Sequence, residues 1–199
     1  MATDVRALID NIQSCCDLRD KSVIHVGVGG GELVACSSAA RSVLAVDRDP
    51  DAIRRLGATL REQDLLGRYI VFRGDFRAVR TRADVVFLGF CLHTMADPDG
   101  ALRHARTLAP ATVVVDAAPG SRWAWYRGED AQVERSWEAA GRCAVARDDT
   151  FMGAEQFQDY RELAGYLASR GEPTLSRIEE FKGRQGIAIQ MPYRIALVR

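Results

Sequence analysis

Short apolar runs alternate with amphipathic stretches along most of the chain. Val23–Val28, Ser42–Val46, Ile70–Phe72, Val85–Leu88 and Thr112–Val115 are rich in β-branched residues. Continuous runs of that kind suit parallel strands buried on both faces. Between them, apolar positions recur at helical spacing. Ile53, Leu56 and Leu60 follow Asp49-Pro50, and Leu102, Ala105 and Leu108 follow Asp97-Pro98. Each Asp-Pro pair sets a capping side chain before a proline at the first helical position. Val5, Leu8, Ile9 and Ile12 predict a helix within residues 1–20, ahead of the first strand. Phe157, Tyr160, Leu163, Ala164 and Leu167 predict another, stopping at Gly171. The alternation implies an α/β, doubly wound sheet.

The end of the chain reads differently. Leu175–Phe181 and Ile187–Val198 both read as strands, separated by Lys-Gly-Arg-Gln-Gly. A parallel crossover needs about a dozen residues or more. These two strands are therefore expected to pair as an antiparallel hairpin, with a bulge or an edge at Pro192. The expected architecture is a mainly parallel seven-stranded sheet with a C-terminal antiparallel hairpin. It forms one domain over residues 1–199, with residues 117–153 as a substrate-side insertion after the fifth strand.

Composition narrows the function classes. The 27 Lys+Arg balance 27 Asp+Glu, whereas a duplex nucleic-acid binder normally carries a basic excess. Arginine outnumbers lysine 25 to 2, but the arginines are scattered. No apolar run is long enough to span a bilayer, and the N-terminus lacks the basic-then-apolar order of a secretory signal. No nucleic-acid partner and no membrane are expected. The five cysteines (Cys15, Cys16, Cys36, Cys91 and Cys143) are odd in number and hold no Cys-x-x-Cys pair. That argues against a disulfide framework or a zinc site, and for reduced thiols in the cytoplasm. No tight His/Asp/Glu cluster suggests another metal, and a homodimer stays open.

The sharpest local signal is His25-Val26-Gly27-Val28-Gly29-Gly30-Gly31-Glu32, between a strand and a helix-like run. Glycines let a ligand approach the backbone, and a helix N-terminus offers free N–H groups. A tight strand–helix turn alone would use the same glycines. The dinucleotide spacing G-x-G-x-x-G fails, because Glu32 holds its last position. Gly27, Gly29 and Gly31 give G-x-G-x-G instead. Asp47 ends the second strand, where a doubly wound sheet sets a carboxylate beside the loop to accept ribose hydroxyls. Asp75 is placed to accept an adenine amino group or to cap a turn. Arg48 and Phe76 flank that slot, either touching the adenine faces or simply packing.

The segments VIHVGVGGGEL, VLAVDRDPDAI, the Gly74-Asp75-Phe76 turn and FLGFCLHTMADPDGALRHARTLAPATVVVD resemble the class I S-adenosylmethionine-dependent methyltransferases of the small-molecule type. The resemblance covers about residues 22–116, and the terminal hairpin is the family's other mark. It implies S-adenosylmethionine as cofactor, with Gly27, Gly29 and Gly31 at its methionine end and Asp47 on its ribose. Asp75 and Phe76 then border the adenine, and Arg48 and Phe90 join the cofactor contacts. One position departs from the family. An acid usually stands two residues before the first glycine and helps organise the cofactor's amino group, and here that residue is His25. Histidine is neutral or cationic, so affinity falls unless another carboxylate such as Glu32 substitutes.

Ligands of an open α/β sheet sit outside the carboxyl ends of its strands. The loop Gly89–Met95 therefore lies beside the reacting methyl group. His93 is its candidate general base, with capping of the next helix as the structural alternative. Cys91 reads as core. The aromatic segment after the fifth strand supplies substrate-side candidates. Trp123, Trp125 and Tyr126 either wall a pocket or anchor the following helix, and Arg122 can bind a carboxylate or phosphate. Met152, Phe157 and Tyr160 are further pocket candidates, though their spacing favours packing. The expected reaction is methyl transfer to an O, N, S or C nucleophile of a small molecule. A nicotinamide oxidoreductase is disfavoured by the failed glycine spacing. The alternatives are other chemistry on the same cofactor, such as cyclisation, and a non-catalytic or partner-dependent protein that keeps the fold.

Overall fold

The computed structural model of the chain describes residues 5–29, 31, 33–168 and 172–199. Its main sheet has seven strands in the order β3-β2-β1-β4-β5-β9-β6. β1 (Ser22–Val26), β2 (Ser42–Asp47), β3 (Tyr69–Arg73), β4 (Val85–Gly89) and β5 (Ala111–Ala117) run in parallel. β6 (Val145–Phe151) and β9 (Tyr193–Val198) are antiparallel, with β9 between β5 and β6. The order reverses between β1 and β4, which makes their carboxyl ends the switch point where such sheets take ligands.

Strand residues point alternately to two helical layers. On one face α1 (Val5–Cys15), α2 (Val34–Ser37) and α3 (Pro50–Glu62) bury Ile12, Val34, Leu56 and Leu60 against Phe87 and Val113. On the other, α4 (Pro98–Leu108) and α6 (Asp130–Gly141) bury Leu102, Ala105 and Trp137 against Ile24, Leu88 and Val114. The Asp-Pro starts behave as the sequence predicts. Asp49 accepts from Asp51 N at 2.8 Å, and Asp97 from Gly100 N at 2.8 Å. β3 is the exception to two-sided burial. It is an edge strand, and Ile70 is 71% exposed.

The C-terminal third differs from expectation in detail. Leu175–Phe181 is not a strand; it forms α8 (Glu172–Arg177) and a turn of 3-10 helix at Glu179–Phe181. Leu175, Ile178 and Phe181 recur every three residues, and that helical spacing puts them in one apolar cluster. The antiparallel pairs are instead β6 with β9 and β7 (Ala154–Asp159) with β8 (Gln185–Gln190). The two pairs follow one another along a ribbon that changes sheet at Gly153 and Met191-Pro192. There Met191 N donates to Gly153 O at 2.8 Å. Pro192 thus marks the corner between sheets. Phe157 lies in β7, and the helix read from it begins only at α7 (Tyr160–Leu167), capped by Asp159.

The excursion from the main sheet is therefore residues 154–190, because β6 within 117–153 rejoins the sheet. It packs on α5 (Arg122–Tyr126) through a third core of Trp123, Tyr126, Phe157, Leu163, Ile178 and Ile187. Gly171, the expected stop of the last helix, lies outside the described residues.

Candidate functional site

A solvent-open cleft lies at the carboxyl ends of β1, β2 and β4. Gly27 forms part of its floor. Its φ is +76°, and a Cβ there would stand 2.4 Å from Cys91 Cβ and 2.6 Å from Gly89 O. Only glycine fits a left-handed backbone pressed that closely on the neighbouring strand. Gly29 and Gly31 continue the loop with φ of +54° and +93°. Gly31 faces Thr59 of α3, whose Oγ1 would be 2.9 Å from an added Cβ. Gly30 and Glu32 lie outside the described residues, so the substitute role expected of Glu32 does too.

Asp47, Arg48, Asp75 and Phe76 all line this cleft. Asp47 Oδ1 accepts from Asp49 N at 3.0 Å, which fixes the carboxylate at the end of β2. Asp75 is a cap and a cleft residue at once. Its Oδ1 accepts from Arg77 N at 2.8 Å, starting the turn Phe76–Ala78, and its Oδ2 accepts from Arg77 Nη2 at 3.1 Å. The Arg77 guanidinium, and then the backbone hydrogen bond, hold the Asp75 carboxyl below the usual range. Phe76 is buried, with His104 of α4 edge-on to its ring at 5.0 Å.

His25 is not on the cleft surface. It is 1% exposed on β1, facing the α1–α3 layer, and packs T-shaped on Phe87 at 4.7 Å. Burial pushes its pKa down to about 4. Phe90 is half-buried against the same layer with φ of +48°, and its N–H donates to Val115 O at 2.7 Å. A non-glycine residue in that conformation is held by its surroundings at a cost.

His93 is buried behind the cleft between two carboxylates. Asp116, fully buried at the end of β5, meets its Nδ1 at 2.6 Å and accepts from its backbone N at 3.1 Å. Glu129 Oε2 lies 3.6 Å from Nε2 and 2.9 Å from Arg127 Nε. Burial, the largest single effect, disfavours the charged ring, but Asp116 and Glu129 together lift its pKa to about 9. His93 thereby ties the β4 loop to β5 and the start of α6. Its sequence neighbours Thr94 and Met95 line the cleft.

The substrate-side candidates sit elsewhere. Trp123 and Tyr126 are 2% and 1% exposed, inside the third core. Trp125 is exposed under the Arg177 guanidinium, at 5.0 Å. Arg122 donates to Tyr126 OH at 2.7 Å and to Glu180 at 3.2 Å. None of the four lines the cleft, because α5 turns its aromatic residues onto β8 and the excursion rather than toward β4. Met152 is 67% exposed, and Phe157 and Tyr160 pack in that same third core.

Sequence reading missed Arg77 as a cleft residue and Asp116 as the partner of His93, whereas Thr94 and Met95 belong to the loop that it set beside the methyl group. An acid ending a strand five residues before Ser121 carries no pattern of its own. Cys91, read as core, is both buried and part of the cleft wall. Burial, then the charges of Asp116 and Asp47, push its thiol far above the usual range, so it is no thiolate nucleophile.

Among the described residues, no group of three or more His, Cys, Asp or Glu could hold a metal ion, and no helix is long and apolar enough to cross a membrane. The methyltransferase-domain family matches residues 24–115. No curated protein matches the chain in sequence. A putative methyltransferase from Bacillus halodurans shares the fold at TM-score 0.69 and 15% identity, over 97% of this chain and 98% of that one. Coclaurine N-methyltransferase bound to N-methylheliamine and SAH matches at TM-score 0.62 and 15% identity, over 97% and 71%. A putative RNA methyltransferase from Pyrococcus horikoshii matches at TM-score 0.59 and 19% identity, over 98% and 81%. At these identities the likeness speaks for the fold. The matched segment and the fold together make the chain similar to the class I S-adenosylmethionine-dependent methyltransferases, whose cofactor is S-adenosylmethionine.

Proposed function

We propose that the chain methylates a small molecule at an O, N, S or C atom, with the cofactor's adenosine in the cleft. The observation that carries this is the cleft itself, which unites Gly27, Asp47, Asp75 and Phe76 at the switch point. The residues present fit the cofactor. Gly27 leaves room for a ligand against the backbone, Asp47 offers a pre-oriented acceptor for ribose hydroxyls, and Asp75 keeps lone pairs free beside its bonds to Arg77. Arg48 and Phe76 border the adenine, and Gly29, Gly31, Phe90 and His25 attend the methionine end. Bound there, the cofactor supplies an electrophilic methyl group on a sulfonium.

The protein's task is then mainly alignment and water exclusion. His93 is a positioning residue in this reading. A ring already protonated near neutral pH and enclosed by two carboxylates cannot take a proton from substrate. It holds the loop that presents Thr94 and Met95 to the cleft. Zero net charge, with Arg122 already paired to Glu180, favours a small molecule over RNA. Five free thiols favour a reducing, cytoplasmic setting.

Calorimetric titration with S-adenosylmethionine and S-adenosylhomocysteine tests the cofactor placement. Asp47→Ala should lose about 2 kcal/mol, roughly thirtyfold in affinity, because ribose hydroxyls lose a charged acceptor. Unchanged affinity would remove Asp47 from the ribose. Labelled methyl transfer to an RNA transcript, with none to a panel of small amines, phenols and thiols, would overturn the substrate class.

A further inference from the structure

The main sheet has two outer edges, and they are built differently. β6 carries Arg147, Asp148 and Asp149 along its length, and its register on β9 shifts between Val145 and Arg147. Charges and bulges of this kind guard an edge against pairing with another chain. β3 has neither. Its register with β2 is unbroken from Tyr69 to Arg73, and its one charge stands at the last residue. Among the described residues eight large apolar side chains are exposed. Four of them, Leu66, Ile70, Val71 and Phe72, lie on this strand or just before it.

The backbone of β3 is also set to pair. Gly74 N donates to Asp47 O at 2.9 Å, so the even-numbered residues bond to β2. Val71, at the middle of the strand, therefore turns its N–H and C=O outward.

We propose that β3 is a homotypic interface, where a second copy of this chain adds its own β3 antiparallel about a two-fold axis at Val71. In that register Val71 faces Val71 and exchanges both backbone hydrogen bonds with it. Ile70 faces Phe72 of the other copy, twice. Each Arg73 falls opposite Tyr69, so no like charges are opposed. An axis at Ile70 would set Arg68 against Phe72, and one at Phe72 would set Ile70 against Gly74. The strand thus complements itself in one register, as an isologous contact requires. The balance of 27 Lys+Arg against 27 Asp+Glu leaves no net repulsion between copies. The new ladder ends where Gly74-Asp75-Phe76 begins, so each cleft lies beside the interface, with Leu66–Arg68 of the other copy alongside Gly74.

Sedimentation velocity over about two decades of concentration tests this. The wild-type chain should pass from monomer to dimer as concentration rises. Ile70→Lys alone, or Phe72→Glu alone, sets a charge against an apolar residue at both Ile70–Phe72 pairs. Each should weaken the dimer about tenfold or more. Mixing the two variants sets the new lysine against the new glutamate at one pair and keeps Ile70 on Phe72 at the other. The mixture should therefore recover a dimer that neither variant forms alone. Val71→Cys serves even where Phe72→Glu folds poorly by circular dichroism. Hydrogen-bonded partners stand about 5.5 Å apart, within disulfide reach, so diamide should cross-link this variant across the axis and leave the wild-type chain uncross-linked. A wild-type chain that stays monomeric throughout would overturn the proposal. So would a dimer that Ile70→Lys leaves intact, growth beyond two copies, a mixture of folded variants that fails to pair, or a dimeric Val71→Cys that does not cross-link.

Discussion

Two buried histidines stand at the tips of neighbouring strands, one held neutral and the other cationic. His25, on β1, and His93, just past β4, are 1% and 7% exposed. Burial alone acts on His25 and holds it neutral, with a pKa of about 4. His93 suffers the same burial, yet Asp116 and Glu129 lift its pKa to about 9. The contrast shows that burial does not decide the charge of a histidine; the carboxylates within reach do. It also separates two jobs. His93 meets its partners inside the protein and serves the architecture of the loop. Among the described residues His25 has no such partner.

The largest effect should come from breaking the architectural pair. Asp116→Ala removes the carboxylate that holds both Nδ1 and the backbone N–H of His93. Removing one partner of a buried ion pair costs about 3–5 kcal/mol, and denaturant unfolding would measure it. A loss under about 1 kcal/mol would mean that His93 is not held as an ion pair. The contrast with His25 would then collapse.

The two histidines should also tilt stability in opposite directions with pH. The folded pKa of His93, about 9, lies above its unfolded value of about 6.5. Its contribution is full below the unfolded pKa and is lost as pH rises toward 9. For His25 the folded pKa of about 4 lies below the unfolded value, so its contribution is full above the unfolded pKa and is lost as pH falls toward 4. Each limb is worth on the order of 3 kcal/mol. Unfolding measured from pH 4.5 to 9 should show both limbs. Asp116→Asn should flatten the alkaline limb and His25→Leu the acid one. If either variant altered the wrong limb, the assignment of charges would be reversed.

The N-terminal half of the molecule was far more legible than the C-terminal half, and the reason is burial. Val23, Val43, Val85 and Val113 belong to strands covered on both faces, so their β-branched runs mark the sheet unambiguously. Asp47 and the glycines follow from where those strands end. β6, Val-Ala-Arg-Asp-Asp-Thr-Phe, is an exposed edge strand held partly by the Arg194–Asp148 pair, and its charges hide it. Leu175, Ile178 and Phe181 were misread because a short apolar run fits either period, and only their three-residue spacing betrays a helix. The aromatic residues of α5 announced importance but not direction. Chemistry that favours a substrate pocket also favours a core, and the excursion that claims them comes later in the chain. The state of His93 was illegible for a related reason, since Asp116 and Glu129 reach it only through the fold.

The smallest expected effect concerns that aromatic segment and separates the cleft from the accessory layer. The Arg122 side chain is 65% exposed and its partner Glu180 46%. An ion pair this open contributes about 0–1 kcal/mol. Tyr126 OH also donates to Glu180, so it keeps that partner when the guanidinium is gone. Arg122→Ala should therefore lower stability by less than about 1 kcal/mol, against the several expected of Asp116→Ala. The two measurements that matter are Tm and KM for the methyl acceptor. A small Tm shift with no larger change in KM would leave Arg122 a surface strut between α5 and the turn at Glu179–Phe181. A KM raised about tenfold with Tm nearly fixed would mean that the acceptor reaches over α5. The substrate side would then extend from the cleft onto the excursion at residues 154–190.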